Sequence, residues 1–512
     1  MLLGLDCGST AIKAVLFGED GVAVAAASRR TAPLSPHPGF VEHDMDDLWR
    51  RAAETIRETL QRAGSSGAHN VDAVGVTGHG DGLYLADTTG RPLGNGIQSV
   101  DSRAQAIAAE WAAAGTLDAV EAITAQRPYA YAATTLLAWI RRHQPERYAA
   151  IGHVMFCKDW LRYRLTGVLA TDPTDASTAF TEARQQRYDP AILALLGLEA
   201  VQPALPSILP SSSVIGAVSK EAAVATGLPA GTPVSGGMHD VTASAVGLGN
   251  LEPGALSITA GTFSINETLS DRLIVDPRWS ARAGLKPGQW MNMSISPASS
   301  NNVDWFLQQA DRAEWDADAA GGAPLWPMLE AELATPGRSD PPLFHPFLYG
   351  SPYEAPASAT FFGLRSWHGR ADMLRAVIEG AVFNHRFHAD ALRSAFPLSR
   401  AAITGGGAAK PRMAQLFADA LGLPVDIPEA PEVGALGAAL SAGVGAGVYA
   451  SLGDATRSAC RIAARYEADP TRHAALTRRF HRYVALAEAL RPFWEPDGET
   501  PLARSQSRSQ SA

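Results

Sequence analysis

Apolar positions in the first thirty residues recur at the spacing of strands, in short runs separated by small polar residues. Residues 2–6 (LLGLD), 11–17 (AIKAVLF) and 22–28 (VAVAAAS) are the expected strands of an antiparallel meander. Cys7-Gly8-Ser9-Thr10 turns the chain between the first two, and Gly18-Glu19-Asp20-Gly21 is a strong hairpin signal between the second two. The spacing changes at 44–62, where apolar residues follow a helical period behind acids in the first turn. An apolar strand at 71–76 and a hairpin in GLYLADTTGRPL follow. Helices are expected at 134–142, 158–165 and 189–196, then a proline-rich passage at 203–210 and a strand at 233–236.

Residues 257–267 (SITAGTFSINE) repeat the opening plan of strand, small hydroxyl-bearing turn and strand. Helices at 302–309, 371–392, 410–421 and 472–490 complete the pattern. A supersecondary unit used twice implies two related domains facing each other across a cleft. The chain of 512 residues has room for roughly three domains at about 150 residues each. The repeat favours two instead, 1–248 and 249–495, joined near 246–252 and followed by a disordered low-complexity tail at 496–512.

Composition narrows the classes. With 46% hydrophobic and 19% charged residues the chain is globular, neither a charge-rich coiled coil nor a disordered polymer. A net charge of −9 argues against a dedicated nucleic-acid binder, which needs cations to displace phosphate counterions. Cys7, Cys157 and Cys460 are odd in number and lack CxxC spacing, so neither a disulfide scaffold nor a structural zinc site is indicated, and a reducing cytoplasm fits. Asp6 interrupts the apolar N-terminus, which has no basic leader and is not a signal peptide. Residues 434–453 carry no charge over a membrane-spanning length, but six of the twenty are glycine, so a tightly packed soluble helix is expected and no membrane partner.

Several clusters can carry chemistry. Asp6-Cys7-Gly8-Ser9-Thr10 offers the parts of a phosphate cradle: a glycine that bares backbone N–H groups, two hydroxyls, and a carboxylate able to hold magnesium. Lys13 follows at a spacing that points it back toward the same ligand. The same residues also make an ordinary hairpin with a solvated Asp. Ala260-Gly261-Thr262-Phe263-Ser264 is the second cradle, and Gly405-Gly406-Gly407, between a strand and a helix, lets a nucleotide approach the backbone. Neither GxGxxG nor GxxxxGK[ST] occurs. Asp240, after Gly236-Gly237, is placed to be a general base or simply a helix cap. Gly78-His79-Gly80-Asp81 and Asp101-Ser102-Arg103 are dense in the polar groups that a hydroxyl-rich ligand requires.

Taken in order, these residues resemble the FGGY family of carbohydrate kinases. The resemblance runs from GLDCGSTAIKA through HPGFVEHDMDDLW, VTGHGDGLYLAD, VDSRA, KDWLRYRLTG, TPVSGGMHD, AGTFS and ITGGGA to EVGALGAAL. Its most specific block is ATFFGLRSWHGRADMLRAVIE at 359–379. It implies an α/β fold of two actin-like (ribonuclease H-like) ATPase domains, with ATP and magnesium as cofactors and a small sugar or polyol as the only partner. A homodimer is left open. The family's roles imply that Ser9, Thr10, Lys13, Gly261, Thr262, Gly406 and Gly407 bind ATP, and that Asp6 and Asp240 lie at the metal. Asp240 would be the catalytic base, in a sugar pocket lined by His79, Gly80, Asp81, Asp101 and Arg103.

Departures from the family pattern fall at 350–353 (GSPY), at Pro411 and at 299–302. IQSVDSRA is most similar to L-xylulose kinases, whereas GHGDGLYLAD also resembles erythritol kinases. The expected activity is phosphorylation of a terminal hydroxyl of a pentulose, with a small polyol as the alternative acceptor. The alternatives of another kind are a catalytically silent sugar-binding regulator on the same fold, and an actin-like or chaperone-type ATPase.

Overall fold

A computed structural model of the chain describes residues 1–68, 70–319, 325–334, 340–353, 357–406 and 410–494. The tail at 496–512 lies outside these residues. The chain forms two compact units, one of residues 1–253, 268–292 and 428–461, the other of 254–267, 293–427 and the chain from 462 onward.

The first unit opens as the alternation predicts. Strands β1 (Leu2–Cys7), β2 (Ala11–Phe17) and β3 (Ala23–Arg30) form an antiparallel meander in which Asp6 lies opposite Lys13. Strands β4 (Ala73–Gly78), β5 (Val214–Ala217), β6 (Pro233–Ser235) and β7 (Met238–His239) complete a mixed sheet in the order β5-β6-β4-β1-β2-β3, with β7 also paired to β4. β1 and β4 run parallel, which requires a crossover, and the helix Met45–Ala68, broken at Gly64, supplies it. One face of the sheet packs Leu3, Leu5, Ile12, Val74 and Val76 against Trp49 and Ile56 of that helix. GLYLADTTGRPL forms the expected hairpin, with Gly90 N–H donating to Asp87 O in the turn, Asp87 N–H to Arg91 O and Leu93 N–H to Leu85 O, while Tyr84–Ala86 also pairs with His153–Met155, which the local pattern could not reveal.

The second unit repeats the plan. Strands β8 (Ala255–Ala260), β9 (Ser264–Ser270), β10 (Trp290–Ser296), β11 (Arg400–Thr404), β12 (Val425–Pro428) and β13 (Ile462–Tyr466) run in the order β10-β9-β8-β11-β12-β13, and the strand Ser280–Ala283 pairs outside β10 as the seventh. β8 pairs parallel with β11, as β1 does with β4, and the helix Arg370–Arg393 lies in that crossover. The part of the order that repeats is the second strand, the first, and then the parallel strand after the crossover, β2-β1-β4 in one sheet and β9-β8-β11 in the other, and the fold is two mixed α/β domains of the actin-like ATPase type.

The compact units are not contiguous in the chain, because residues 268–292 and 428–461 fold with the first unit. The helix Val433–Gly445 explains the second of these returns. Its Ala435, Leu436, Ala439 and Leu440 pack with Leu2, Val15 and Phe17 on the other face of the first sheet. The approach is at backbone distance: a Cβ added to Gly4 would lie 1.9 Å from Ala435 O, and one added to Gly75 1.9 Å from Ala438 O. Gly75→Ala therefore pushes sheet and helix apart and is expected to cost about 3 kcal/mol, the upper end for overpacking. Urea unfolding of the variant measures it, and an unchanged midpoint would contradict the packing. Among the described residues no helix is long and apolar enough to cross a membrane.

Candidate active site

The register of the first sheet collects the predicted residues at one end. Asp6 of β1 and Met238 of β7 both lie beside Thr77 of β4, and Cys7 and His239 both lie beside Gly78. The residues that leave the sheet next are therefore Gly8, His79 and Asp240. Thr77 Oγ1 donates to Met238 O at 2.7 Å and holds the third of these exits to the second.

Asp240 begins the helix Asp240–Gly247 and keeps about a third of its side chain exposed. Its Oδ1 accepts from its neighbour Val241 N at 2.8 Å and lies 3.0 Å from His239 Nδ1. Burial alone would raise this carboxyl; the hydrogen bond from His239 and the favourable electrostatics of His239 and His79 outweigh it and hold the group below the ordinary carboxylate range. Asp6 goes the other way. Burial first, and the charge of Asp240 second, push it up to about 7. A Cβ at Gly434, at the start of the Val433–Gly445 helix, would sit 2.8 Å from Asp6 Oδ2, so the carboxylate rests against a helix N-terminus that only glycine leaves open. Lys13, opposite Asp6, has its Nζ on Glu432 Oε2 at 2.7 Å. Two carboxylates left facing each other, with the nearby lysine committed elsewhere, are a donor set that suits a hydrated divalent cation. Among the described residues no group of three or more His, Cys, Asp and Glu side chains could hold a metal by itself.

In the turn between β1 and β2, Gly8 N–H donates to Ala11 O, Ser9 is half-buried and Thr10 exposed. Cys7 and Cys157 approach to 3.5 Å between sulfurs, both as free thiols, although they are 150 positions apart.

His79 is buried and stands at the end of a polar chain. Gln98 Nε2 donates to His43 Nε2 at 2.9 Å; His43 Nδ1 lies 3.3 Å, and His79 Nε2 3.1 Å, from the Tyr84 hydroxyl. His79 Nδ1 is buried and makes no hydrogen bond of good geometry among the described residues; burial opposes a charge on the ring, but Cys157, Asp240 and the Gly80 carbonyl outweigh it and raise His79 to about 9. Asp81 adopts a left-handed φ of 56°, which is uncommon for a residue other than glycine, and its carboxylate receives Arg282 Nη2 at 3.0 and 3.3 Å. Asp101 and Arg103 are also close to this region but engage each other. Arg103 Nε and Nη2 donate to Asp101 at 2.9 and 2.7 Å, and Nη2 also reaches Glu42 Oε1 at 2.7 Å. The guanidinium lies over Phe40, 4.0 Å from the ring centre, and only 1% of its side chain is exposed. The pair braces the wall, with Asp101 Oδ2 also accepting from Val41 N at 2.7 Å.

Residues 1–247 match the model of the FGGY family of carbohydrate kinases, N-terminal domain, and residues 256–446 match that of the same family's C-terminal domain. The chain belongs to the FGGY family of carbohydrate kinases. An L-xylulose/3-keto-L-gulonate kinase of Escherichia coli (strain K12) is 33% identical over 495 residues, 96% of this chain and 97% of the relative. A probable L-xylulose kinase of Pasteurella multocida (strain Pm70) is 32% identical, over 96% of this chain and 99% of its own length. The crystal structure of a xylulose kinase from Rhodospirillum rubrum, 30% identical, superposes with a TM-score of 0.86 over 96% of this chain and 99% of that one.

In this FGGY kinase the second unit brings Gly261 and Gly406 together at a cavity of about 210 Å³, lined also by Ser299, Ser300, Asp304 and Phe417. Ser300 N–H and Oγ both donate to Gly261 O, at 3.0 and 2.5 Å, so the serines that depart from the family pattern tie down the second cradle. Thr262 is exposed beside it. Pro411 opens the helix Pro411–Leu421, a position where its missing N–H costs nothing. Gly407 lies outside the described residues. Four polar side chains around the base were not singled out in the sequence: Tyr84 and Glu432 lie inside motifs of the resemblance without a role of their own, and Arg282 and Gln126 lie outside all of them. Arg282 alone offered a cue, as the only charge in the small-residue strand Ser280–Ala283.

Proposed function

We propose that this carbohydrate kinase transfers the γ-phosphate of ATP to a terminal hydroxyl of a pentulose of the xylulose type, with Asp240 as the base. The observation that carries the reading is Asp240 itself: a carboxylate held ionised by His239 at the sheet end it shares with Asp6 and His79. An alcohol attacking phosphorus must give up its proton, and in a loose transition state a positioned carboxylate suffices to accept it. Asp6 would hold magnesium, directly or through water, with Asp240 beside it. Ser9, Thr10 and Lys13 would hold phosphates, and Gly261, Thr262, Gly406 and Gly407 phosphates and adenosine. ATP with magnesium, when bound, supplies the phosphoryl group and neutralises the charge on its oxygens. Lys13 must leave Glu432 to reach a phosphate, so Glu432 parks it until the nucleotide arrives.

His79, Gly80 and Asp81 would line the sugar pocket, with Asp101 and Arg103 shaping its wall. His79, raised to about 9 and with a buried Nδ1 in want of an acceptor, is a donor that a ketose carbonyl matches better than a hydroxyl that competes to donate. The names of the relatives point the same way. A coupled ADP-release screen over D- and L-ketopentoses, erythritol, threitol and glycerol tests the assignment. The expected result is turnover highest on a ketopentose and at least about tenfold lower kcat/KM on every polyol, the discrimination that one unsatisfied buried group supplies. Preference for erythritol would replace the pentulose by a polyol, and ADP release independent of any sugar would point to an ATPase.

A further inference from the structure

Arg282 reaches the candidate base through one side chain. Its Nη1 lies 2.9 Å from His239 Nε2, and a guanidinium can donate but never accept. Burial opposes a charged His239 ring, but the hydrogen bond and charge of Asp240 outweigh it and raise the group above its ordinary value. The 2.9 Å contact calls for an acceptor at Nε2, since a proton there would set two donors against each other. Nε2 then presents its lone pair and the ring proton sits on Nδ1, 3.0 Å from Asp240 Oδ1; Val241 N–H, 3.4 Å from the same Nδ1, makes its closer bond to Asp240 Oδ1 at 2.8 Å.

Arg282 is itself fixed from several sides. Asp81 accepts from Nη2 and Gln126 Oε1 accepts from Nε at 3.2 Å, while 4% of the side chain is exposed. The strand beneath it is pinned by Ala281 N–H donating to Ala125 O at 3.1 Å and Ala283 N–H donating to Ser177 Oγ at 2.9 Å. Space for the ring is equally tight: a Cβ on Gly80 would fall 1.7 Å from His239 Nε2. All of these residues belong to the first unit.

We infer that Arg282 is a positioning residue for phosphoryl transfer: it locks His239 as the Nδ1–H tautomer, whose proton occupies Asp240 Oδ1 and leaves Oδ2 to face the acceptor hydroxyl. The inference rests on Asp240 being the base. Because Arg282 is held by Asp81, a residue of the proposed sugar pocket, the same contact ties the pocket wall to the base.

The test uses the full-length enzyme with the best sugar from the screen. Arg282→Met and His239→Leu are each expected to lower kcat by about 10- to 100-fold, the scale of a misplaced catalytic group, with sugar KM changed less than about threefold. The double variant should be no slower than His239→Leu alone, since Arg282 acts through the ring. His239→Asn keeps a donor where Nδ1 was and should recover most of kcat, a rescue that a packing role would not give. A raised sugar KM at unchanged kcat in Arg282→Met, or additive losses in the double variant, would overturn the inference. ¹⁵N spectra of histidine-labelled wild-type enzyme, assigned by loss of the signal in His239→Asn, need no Arg282 variant to fold: a protonated Nε2 would refute it outright. If Asp240→Asn keeps near wild-type turnover, the base assignment itself has failed; if that variant is inactive and the cycle is additive, the inference alone has.

Discussion

Asp240→Asn is expected to lower sugar-dependent ADP release by about 100-fold or more, the cost of losing an acid–base group, while ATP binding is retained. The substitution is nearly isosteric. An asparagine oxygen can still accept from Val241 N–H and His239 Nδ1–H, which hold Asp240 Oδ1 now, so the turn between β7 and its helix has no reason to move. What disappears is the ability to take a proton. The remaining activity therefore measures how far binding and orientation alone carry the reaction. Calorimetric titration with ATP in the absence of sugar separates this from a collapsed site, because the nucleotide-binding residues proposed at Ser9, Thr10 and Gly261 do not include position 240. Turnover within a fewfold of wild type would remove Asp240 as base.

How much of this was legible in the sequence depended on range. The β1–β2–β3 meander was readable because each strand carries its own period-2 alternation and each turn its own small and polar residues, so the alternation alone places Asp6 and Lys13 near each other. The echo at 257–267 was readable for the same local reason, and it reappears as the repeated strand order of the second sheet. Residues 434–453 were legible in character only. Their glycines announced close packing, but nothing local says that the partners are Gly4 and Gly75, more than 350 positions earlier. Arg282 was legible only as a lone charge among small residues, because its meaning lies in Asp81, Gln126 and His239, three residues from three other segments. Arg103 shows the opposite limit. Its motif suggested a sugar ligand, but the sequence could not show that Asp101, Glu42 and Phe40 occupy its guanidinium.

Lys158→Met is expected to cost about 3–5 kcal/mol, the usual consequence of removing one partner from a buried ion cluster. Lys158 has no exposed surface, and its Nζ lies 2.6 Å from Asp159, 3.0 Å from Asp172 and 2.9 Å from Asp175. Arg162, also buried, adds a contact to Asp159 at 3.2 Å. Two cations against three carboxylates leave one negative charge in excess, and the cluster absorbs it at Asp175, which burial above all pushes up to about 6. Asp172 is held below its ordinary value: burial would raise it, and Lys158 with the Ser211 and Thr174 hydroxyls outweighs that. Without the lysine every one of these carboxyls must rise. An acid whose folded pKa is raised stabilises the fold at low pH and loses that contribution as pH climbs through the folded value. The gap between wild type and Lys158→Met should therefore widen from pH 5 to pH 8 in urea unfolding. The variant Lys158→Met/Asp175→Asn, with one buried charge fewer, should be more stable than Lys158→Met alone. A gap independent of pH, or no gain in the double variant, would mean that Lys158 acts through packing only. The site should feel the loss as well. Thr174 Oγ1 donates to Asp172 Oδ2 at 2.8 Å and accepts from His239 N–H at 2.8 Å, so the cluster holds the backbone from which Asp240 emerges.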